Sequence, residues 1–454
     1  MSQAGRHGLD AGPVASGFRL PPLSAYVHIP WCVRKCPYCD FNSHAAGPEL
    51  PEDAYVEALL ADLAADRGYV HGRKLTSIFF GGGTPSLFSA KALGRILEGL
   101  ERQVGFESDI EITLEANPGT FEQAKFADYR QLGINRLSIG IQSFQAEKLK
   151  ALGRIHDGDE AVRAAEMARR AGFDNFNLDL MHGLPEQSVA DALSDLQQAI
   201  ALAPTHLSWY QLTMEPNTVF WSQPPELPED DQLWEIQEAG QALLAQAGYL
   251  QYETSAYARD GKRARHNLNY WTFGDFLGIG AGAHAKLSTP AGRILRTWKT
   301  RLPKDYLNPE KPFQAGERDL EADDLPFEFM MNALRLTEVY RRQPSPSALA
   351  CRWPPSRKPA GRRARTAYCW TIRTGWPPPN VASCSSTTCC SASCPNDADD
   401  EDAGDHRSGD LQAIPGRLRE LSQPAGQPGV AGQPGRRADP PRQQPGPPAT
   451  AVVG

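Results

Sequence analysis

The chain has 454 residues, with 47 Lys and Arg against 54 Asp and Glu and a formal net charge of −7 at pH 7. This mildly acidic balance excludes the broad basic footprint that nucleic-acid binding usually requires. Residues 1–17 contain no apolar signal segment, and no stretch approaches the ~20 apolar residues of a membrane-spanning helix. We therefore expect a cytoplasmic protein with no nucleic-acid partner and no transmembrane segment.

Short runs of β-branched and aromatic residues predict six strands in the first half of the chain. These runs are 25–29, 77–80, 110–114, 137–141, 176–180 and 207–212. Apolar residues at helical spacing lie between them, as at 52–66, 91–103 and 159–171. This alternation predicts a parallel sheet with crossover helices, either an open doubly wound sheet or an incomplete barrel.

Polar and glycine-rich segments follow the predicted strands at their C-terminal ends. They are 81–84, 115–118, 142–143, Asp179 and Thr213. A strand-to-helix turn explains any one of them. Five at one edge instead favour a barrel, whose chemistry is built on that face. We therefore predict an α/β protein with an incomplete (β/α)6 TIM-like barrel and one composite site.

Three cysteines, Cys32, Cys36 and Cys39, follow the first predicted strand with C-x3-C-x2-C spacing. Three thiolates on one loop bind three corners of a [4Fe-4S] cubane and leave one iron open to an outside ligand. A zinc site with His28 or Asp40 as fourth ligand is one alternative. A redox pair of Cys36 and Cys39 is another. The spacing favours the cluster.

These motifs resemble the radical S-adenosylmethionine (SAM) superfamily. Within it, three segments are similar to the oxygen-independent coproporphyrinogen oxidase group: YVHIPWC at 26–32, CPYCDF at 36–41 and GGGTPS at 81–86. Four more follow in the same order: LEANP at 114–118, SIGIQSF at 138–144, LGR at 152–154 and NLDLMHGLP at 177–185. The resemblance covers about residues 20–338, and its fold is a partial barrel of the radical SAM type.

The resemblance implies a [4Fe-4S] cluster on the three cysteines, SAM on its open iron, and an electron donor for the cluster. Contacts to this SAM carry over onto Tyr26, Gly82 and Glu115. Contacts to a second SAM carry over onto Tyr38, Gly83, Thr84, Gln142, Arg154, Asp179 and Thr213. Gly82 and Gly83 would let backbone amides approach the methionine end. A buried ion pair between Arg154 and Asp179 is the alternative role of those two residues.

Two subfamilies share these motifs, and two features separate them. The oxidases carry a further cysteine where this chain has Phe41, and HNLNYW at 266–271 resembles the H-N-x-x-Y-W motif of the heme chaperones in the group. The chaperone resemblance implies heme binding and transfer to acceptor hemoproteins such as respiratory proteins. It implies no oxidative decarboxylation of coproporphyrinogen, the alternative function, and it allows peripheral membrane contact during delivery.

The same motif makes His266 the candidate heme contact. Imidazole is a common axial ligand of heme iron, and Tyr270 with Trp271 offers a flat aromatic surface for a porphyrin. A structural histidine that positions the sheet edge where heme docks is the alternative.

The composition changes sharply after residue 338. Of the 38 prolines, 18 lie beyond residue 341, together with six of the nine cysteines and no apolar periodicity. We therefore divide the chain into a disordered N-terminus (1–19), a radical SAM partial barrel (20–255), a family-specific extension (256–338) and a degraded or disordered tail (339–454). The tail cysteines at 384–394 are not interpreted as a metal site.

A single-base frameshift near codon 338 is our hypothesis for the tail. When the first two bases of each codon become the last two of a neighbouring-frame codon, Cys converts to Leu, Val or Met. Applied to residues 370–395, with the leading base free, this shift permits LDDPDRLAPTERGQLFLNDLLQRFLP. That string has a helix start followed by an amphipathic helix. The encoded chain would then lack a small C-terminal helical domain.

Overall fold

The computed structural model of the chain describes residues 19–259 and 261–337. These residues belong to a compact unit bounded by Met1–Pro378. The tail predicted for 339–454, and all but the last residue of the predicted N-terminal segment, lie outside the described residues. Among the helices that the structure describes, none is both long and apolar enough to cross a membrane.

The described residues form fourteen strands and twelve α-helices. The strands are β1 (Leu23–Ile29), β2 (Trp31–Cys32), β3 (His44–Ala45), β4 (Leu75–Gly82), β5 (Phe106–Ala116), β6 (Arg136–Gln142), β7 (Phe176–His182), β8 (His206–Gln211), β9 (Leu250–Glu253), β10 (Ala256–Ala258), β11 (Asp275–Ile279), β12 (His284–Ser288), β13 (Ile294–Lys299) and β14 (Gln314–Asp319). The helices are α1 (Glu52–Asp66), α2 (Ala90–Gln103), α3 (Thr120–Gln123), α4 (Phe126–Gln131), α5 (Ala146–Ala151), α6 (Gly158–Arg170), α7 (Val189–Ala201), α8 (Val219–Ser222), α9 (Asp230–Gln246), α10 (Arg265–Trp271), α11 (Pro303–Tyr306) and α12 (Leu325–Ala333).

The six predicted strands are β1 and β4 to β8, and they pair in parallel in the order of the sequence. A doubly wound sheet reverses its strand order at a switch point. No reversal occurs across these six strands, so the crossovers wind in one direction, as in a barrel. The predicted incomplete (β/α)6 barrel is confirmed.

Further strands extend both edges of this parallel sheet. On one side β11 pairs in parallel with β1, and β12 to β14 continue antiparallel from it. On the other side β10 pairs antiparallel with β8, and β9 with β10. Residues after 255 thus contribute to both edges of one twelve-stranded sheet.

Alternate residues of the parallel strands face two different environments, as the strand period of two requires. One face is apolar and packs in the main core under the helices; it includes Val27, Phe80, Leu114, Ile139 and Leu178. The other face is mostly polar and includes Tyr26, Glu115, Ser138, Asp179 and Ser208. This second face lines the interior of the partial barrel, where the candidate site residues lie.

The helices begin where capping chemistry allows. Helix α6 starts with a capping box, in which Asp157 accepts from the backbone N–H of Glu160 and the Glu160 side chain accepts from the N–H of Asp157. Helix α2 begins after Ser89, whose hydroxyl accepts from the N–H of Ala92. Helices α1, α2 and α6 begin and end within one residue of the predicted ranges 52–66, 91–103 and 159–171.

A buried carboxylate joins the added strands to the barrel, and its removal should destabilise both. Asp275 accepts hydrogen bonds from Arg73 Nη1 (2.7 Å), Lys286 Nζ (2.9 Å) and Ser288 Oγ (2.8 Å). We predict that Asp275→Ala lowers the free energy of unfolding by about 3–5 kcal/mol, because it leaves buried cations unpaired. Urea unfolding of the purified chain measures this loss.

The matched control is Asp319→Ala, which removes a partner of Arg293 from an exposed pair. Exposed pairs contribute about 0–1 kcal/mol. Equal losses for the two variants would contradict the role assigned to Asp275.

Candidate functional site

The base of the three-cysteine loop is fixed by backbone hydrogen bonds. Strand β2 pairs with β3, so that Cys32 lies opposite Ala45. The N–H of Thr84 donates to Trp31 O (2.7 Å), which holds the loop against the end of β4. The loop that carries the thiols is thus anchored at the C-terminal edge of the barrel, as the sequence predicts.

The three thiols are free and half-buried. Arg154 Nη1 donates to Cys36 Sγ (3.7 Å), and Ser43 Oγ lies 3.7 Å from Cys39 Sγ. Burial raises the pKa of Cys32 and of Cys39. In the ligand-free chain, burial therefore favours the neutral thiol at Cys32 and Cys39, and loss of their protons would accompany metal binding.

The zinc alternative loses its fourth ligand in this geometry. Both ring nitrogens of His28 are engaged, Nδ1 with the Tyr26 hydroxyl (2.7 Å) and Nε2 with Asn42 O (3.0 Å). Burial lowers the pKa of His28 to about 4. Asp40 is exposed.

A chain of side-chain hydrogen bonds leads from Cys36 into the barrel. Arg154 Nη2 donates to Asn117 Oδ1 (2.8 Å) and to Gly140 O (2.7 Å), and Asn117 Nδ2 donates to Thr84 Oγ1 (3.0 Å). A cavity of about 390 Å³ opens beside these residues. The sequence predicted Thr84 and Arg154 as site residues but did not assign the residue that joins them, Asn117.

The proposed ion pair between Arg154 and Asp179 is absent from this arrangement. Asp179 instead accepts from Ser138 Oγ (2.8 Å) and Asn177 Nδ2 (2.7 Å) on the polar interior face. Arg154 is engaged at Asn117 and Cys36. The ion-pair alternative was wrong because Arg154 contacts the thiol loop, whereas Asp179 is hydrogen-bonded to side chains of β6 and β7.

Gln142 has a backbone conformation that glutamine rarely adopts. Its φ is +69°, and the pairing of β6 with β7 shifts register between Gly140 and Gln142. A bulge of this kind re-aims a side chain. Gln142 Oε1 here accepts from the Tyr210 hydroxyl (2.8 Å).

Glu115 lies at the centre of the predicted first SAM site. Its Oε2 accepts from the N–H of Gly82 (3.2 Å). Burial, and then the nearby charge of Asp179, raise the pKa of Glu115 to about 8. Burial, and then the carboxylate of Glu115, raise the pKa of Tyr26. These residues share one enclosed patch that resists negative charge and therefore suits a cationic ligand.

The glycines of this site are required by the packing of the protein itself. Gly82 has φ +114°, and a Cβ there would lie 2.5 Å from His28 Cε1. A Cβ on Gly83 would lie 2.5 Å from Trp31 O. Packing against His28 and Trp31 therefore requires glycine at both positions, whether or not backbone amides there also approach the methionine end of SAM.

Tyr38 and Thr213 are two further predicted contacts to SAM. The Tyr38 ring packs against Phe220, with centroids 6.2 Å apart, beneath the thiol loop. Thr213 follows β8 and is exposed.

His266, on α10, is buried, with only 4% of its surface exposed. Its ring stacks on Phe79 with centroids 4.3 Å apart, and its Nδ1 donates to Glu111 Oε1 (3.2 Å). Burial lowers the pKa of His266. The protein itself thus holds the ring in place, which favours the structural alternative of the sequence analysis.

The aromatic residues of this motif are also engaged by the protein. The Tyr270 ring meets Phe276 edge to face at 4.8 Å, and the Arg335 guanidinium lies over the Trp271 ring at 4.4 Å. Both rings are partly buried, and each already contacts a neighbouring side chain.

The comparisons with known proteins agree with this geometry. The model of the radical SAM superfamily matches residues 26–199. The chain is 59% identical over 324 residues to the heme chaperone HemW of Escherichia coli K12, covering 71% of this chain and 85% of that protein. It is 56% identical over 329 residues to HemW of Haemophilus influenzae, with coverage of 72% and 85%.

A solved structure supports the same fold. The Escherichia coli coproporphyrinogen III oxidase HemN, described as a radical SAM enzyme, superposes with a TM-score of 0.62 at 25% identity, covering 70% of this chain and 77% of that one. The parallel sheet and the three-thiol loop thus define a radical SAM protein. Within that class, the chain belongs to the HemW family.

Membership of this class implies a [4Fe-4S] cluster and SAM, and the described residues fit both. Three thiols lie on one anchored loop, a cation contacts one of them, and a cavity adjoins the loop. Cys32, Cys36 and Cys39 would hold the cluster.

The raised pKa of Glu115 makes the stability of the ligand-free chain depend on pH. The folded chain keeps a proton that the unfolded chain releases between about pH 4.5 and 8. Stability therefore falls as the pH rises through this window. We predict that the free energy of unfolding of Glu115→Gln rises by roughly 1–3 kcal/mol relative to that of the parent as the pH increases from about 5 to 8.5. Urea unfolding at each pH measures the difference.

Glu107→Gln, at an exposed position of the same strand, is the matched control and should follow the parent profile. If the difference in the free energy of unfolding between Glu115→Gln and the parent does not change with pH, Glu115 is ionised in the folded chain throughout this range.

Proposed function

We propose that the chain binds heme and transfers it to acceptor hemoproteins, with a [4Fe-4S] cluster and SAM bound at the C-terminal edge of the barrel. The observation that carries this proposal is the 59% identity to a heme chaperone, covering 85% of its length. The alternative, oxidative decarboxylation of coproporphyrinogen, rests on a structural relative at 25% identity.

The cluster and SAM, when bound, supply one-electron chemistry and a ligand for the open iron. The residues of the chain position and shield them. Arg154 offsets the negative charge of the thiolates at Cys36, and Asn117 fixes the guanidinium. Glu115 and Asp179 accept hydrogen bonds from cationic and hydroxyl groups. These contacts support a site that orients SAM, which both candidate functions require.

The apolar rim of the cavity suits the face of a porphyrin. Val33 and Ile155 line the cavity and are 54% and 63% exposed. The exposed Arg34 lies on the same rim and carries the charge to pair with a heme propionate. We place heme against this rim rather than on the buried ring of His266.

The partners follow from this function. Heme is the cargo, a reduced protein supplies the electron for the cluster, and acceptor hemoproteins take the heme. Because respiratory hemoproteins are membrane-bound, delivery would bring the chain to the membrane periphery from the cytoplasm.

Heme titration of the parent and two variants separates the rim from His266. We predict a saturable Soret change for the parent and an approximately tenfold weaker affinity for Ile155→Asp, because a buried carboxylate opposes an apolar macrocycle. His266→Asn should keep the parent affinity, since its amide can still donate to Glu111 while offering no imidazole to iron.

Leu302→Asp, an exposed apolar position outside the cavity lining, is the control and should bind as the parent does. Loss of the Soret change in His266→Asn, with unfolding unchanged, would instead make His266 an iron ligand. No saturable change in the parent would overturn the chaperone proposal.

Activity with coproporphyrinogen decides between the two functions. We predict that anaerobically reconstituted protein, with an EPR signal that shifts when SAM is added, forms no protoporphyrinogen from coproporphyrinogen III and reductant. Product analysis by chromatography measures this, with Cys36→Ser as the cluster-deficient control. Protoporphyrinogen formed by the parent but not by Cys36→Ser would establish the oxidase activity.

A further inference from the structure

The side chain of Asn42 joins the three-thiol loop to a distant part of the chain. Asn42 follows Cys39 by three residues, and its Nδ2 donates to Ala281 O (2.9 Å) and to Arg301 O (2.9 Å). Its Oδ1 accepts from Arg301 Nε (3.2 Å) and lies 3.2 Å from His44 Nε2. A side-chain amide has two donor and two acceptor positions, so each of them has a partner here.

The turn between β11 and β12, residues 280–283, is the fixed side of this contact. The N–H of Gly280 donates to the Tyr306 hydroxyl (3.1 Å), and the N–H of Ala281 donates to the Tyr55 hydroxyl (2.8 Å). Both tyrosines are fully buried in the core. Because buried side chains hold its backbone, this turn gives Asn42 a rigid support.

The fit between Asn42 and this turn is close. Gly282 has a φ of +79°, and a Cβ on it would lie 2.3 Å from Asn42 Nδ2. The amide cannot move aside without losing its hydrogen bonds, so Gly282 can carry no side chain while Asn42 is in place. The contact therefore matches two segments of the chain, although Asn42 and Ala281 lie 239 residues apart in sequence.

The three-thiol loop needs such a support because its own pairing is short. Strands β2 and β3 have two residues each, against roughly 3–10 in typical strands. Cys36 and Cys39 lie between these strands and outside the pairing. Opening of the loop would separate thiols that must bind one cluster together. Residues that orient metal ligands typically change metal affinity by about 10–100-fold.

We propose that Asn42 is a positioning residue for the [4Fe-4S] cluster. By holding the thiol loop against the β11–β12 turn and Arg301, it keeps the three cysteines together before the cluster binds and slows cluster loss afterwards. Residues after 255 thereby take part in cluster retention, although all three cysteines lie before residue 40. This role rests on the cluster and is independent of heme transfer.

The first measurement uses the full-length chain without its cluster. Hydrogen exchange followed by mass spectrometry reports the opening of the peptide spanning residues 32–46. We expect Asn42→Ala to speed this exchange on the order of tenfold, because the loop opens locally more often. Asn135→Ala is the matched control and should leave it unchanged. The Asn135 amide also bonds two backbone groups, Ile112 N–H and Ile110 O (both 2.8 Å), but it lies at the opposite end of the barrel.

The second measurement uses the anaerobically reconstituted protein. The fall of the visible absorbance of the cluster in the presence of an iron chelator gives the rate of cluster release. We expect Asn42→Ala to release the cluster about tenfold faster than the parent. Asn135→Ala should release it at the parent rate, even though this variant also loses two backbone hydrogen bonds.

Gly282→Ala tests the same contact from the side of the turn. Its added Cβ would displace the Asn42 amide, so the exchange of residues 32–46 and the release of the cluster should both become faster. Gly292→Ala is the matched control, because Gly292 has a similar φ of +83° but open space at the Cβ position. Both variants carry the strain of alanine at a positive φ, whereas only Gly282→Ala also meets Asn42.

Four outcomes would overturn the proposal. One is parent rates of exchange and cluster release in Asn42→Ala. The second is equal acceleration in Asn42→Ala and Asn135→Ala, which would indicate general destabilisation, and the third is an equal effect of the two glycine variants. The fourth is a parent that binds no cluster, which would remove the cluster assignment and this role together. Failure of heme binding alone would contradict only the chaperone proposal.

Discussion

The structure depends on the hydrogen bonding of the polar face that lines the partial barrel. Burying polar groups is costly unless each finds a partner. Asn177 meets much of this demand, because its Nδ2 donates to Ser138 and Asp179 while its Oδ1 lies 2.6 Å from His206 Nδ1. His206 continues the network to the Tyr252 hydroxyl at 2.8 Å. The strands can therefore keep polar residues inside, which leaves the interior able to receive a charged cofactor.

The helix that carries the H-N-x-x-Y-W motif completes this interior. Glu111, on β5, accepts from the backbone N–H of Arg265 (2.9 Å) and from the His266 ring. Burial opposes its charge, but the hydrogen bond from His266 and the charge of Arg136 hold the pKa of Glu111 below its usual value. The ionised carboxylate of Glu111 thus fixes the first turn of α10 and holds His266 against the interior face of the sheet.

Local features of this protein were readable from the sequence, whereas long-range partners were not. The strands, the first helices and the thiol loop depend on periodicity and on spacing within a few residues. The Asn117 link between Thr84 and Arg154 depends on three separate βα units meeting at one edge. The H-N-x-x-Y-W resemblance made His266 a candidate heme contact, but its hydrogen-bond partner Glu111 lies 155 residues away in sequence and gave no signal. The bulge at Gln142 was also hidden, since glutamine gives no signal for a positive φ. The domain boundaries and the frameshift remain predictions.

The aromatic stacking explains how the motif helix and the SAM site form one packed unit. The His266 ring stacks on Phe79, and the Phe79 ring stacks on Tyr26 with centroids 5.9 Å apart. The Tyr26 hydroxyl in turn bonds His28, which bonds Asn42 on the thiol loop. A change of volume at His266 therefore reaches the SAM contacts and the cluster loop through direct contacts. Because of this continuity, a lost heme function in a His266 variant identifies an iron ligand only when the free energy of unfolding of the variant is unchanged. An unchanged free energy shows that the packing from Phe79 to the thiol loop is still intact.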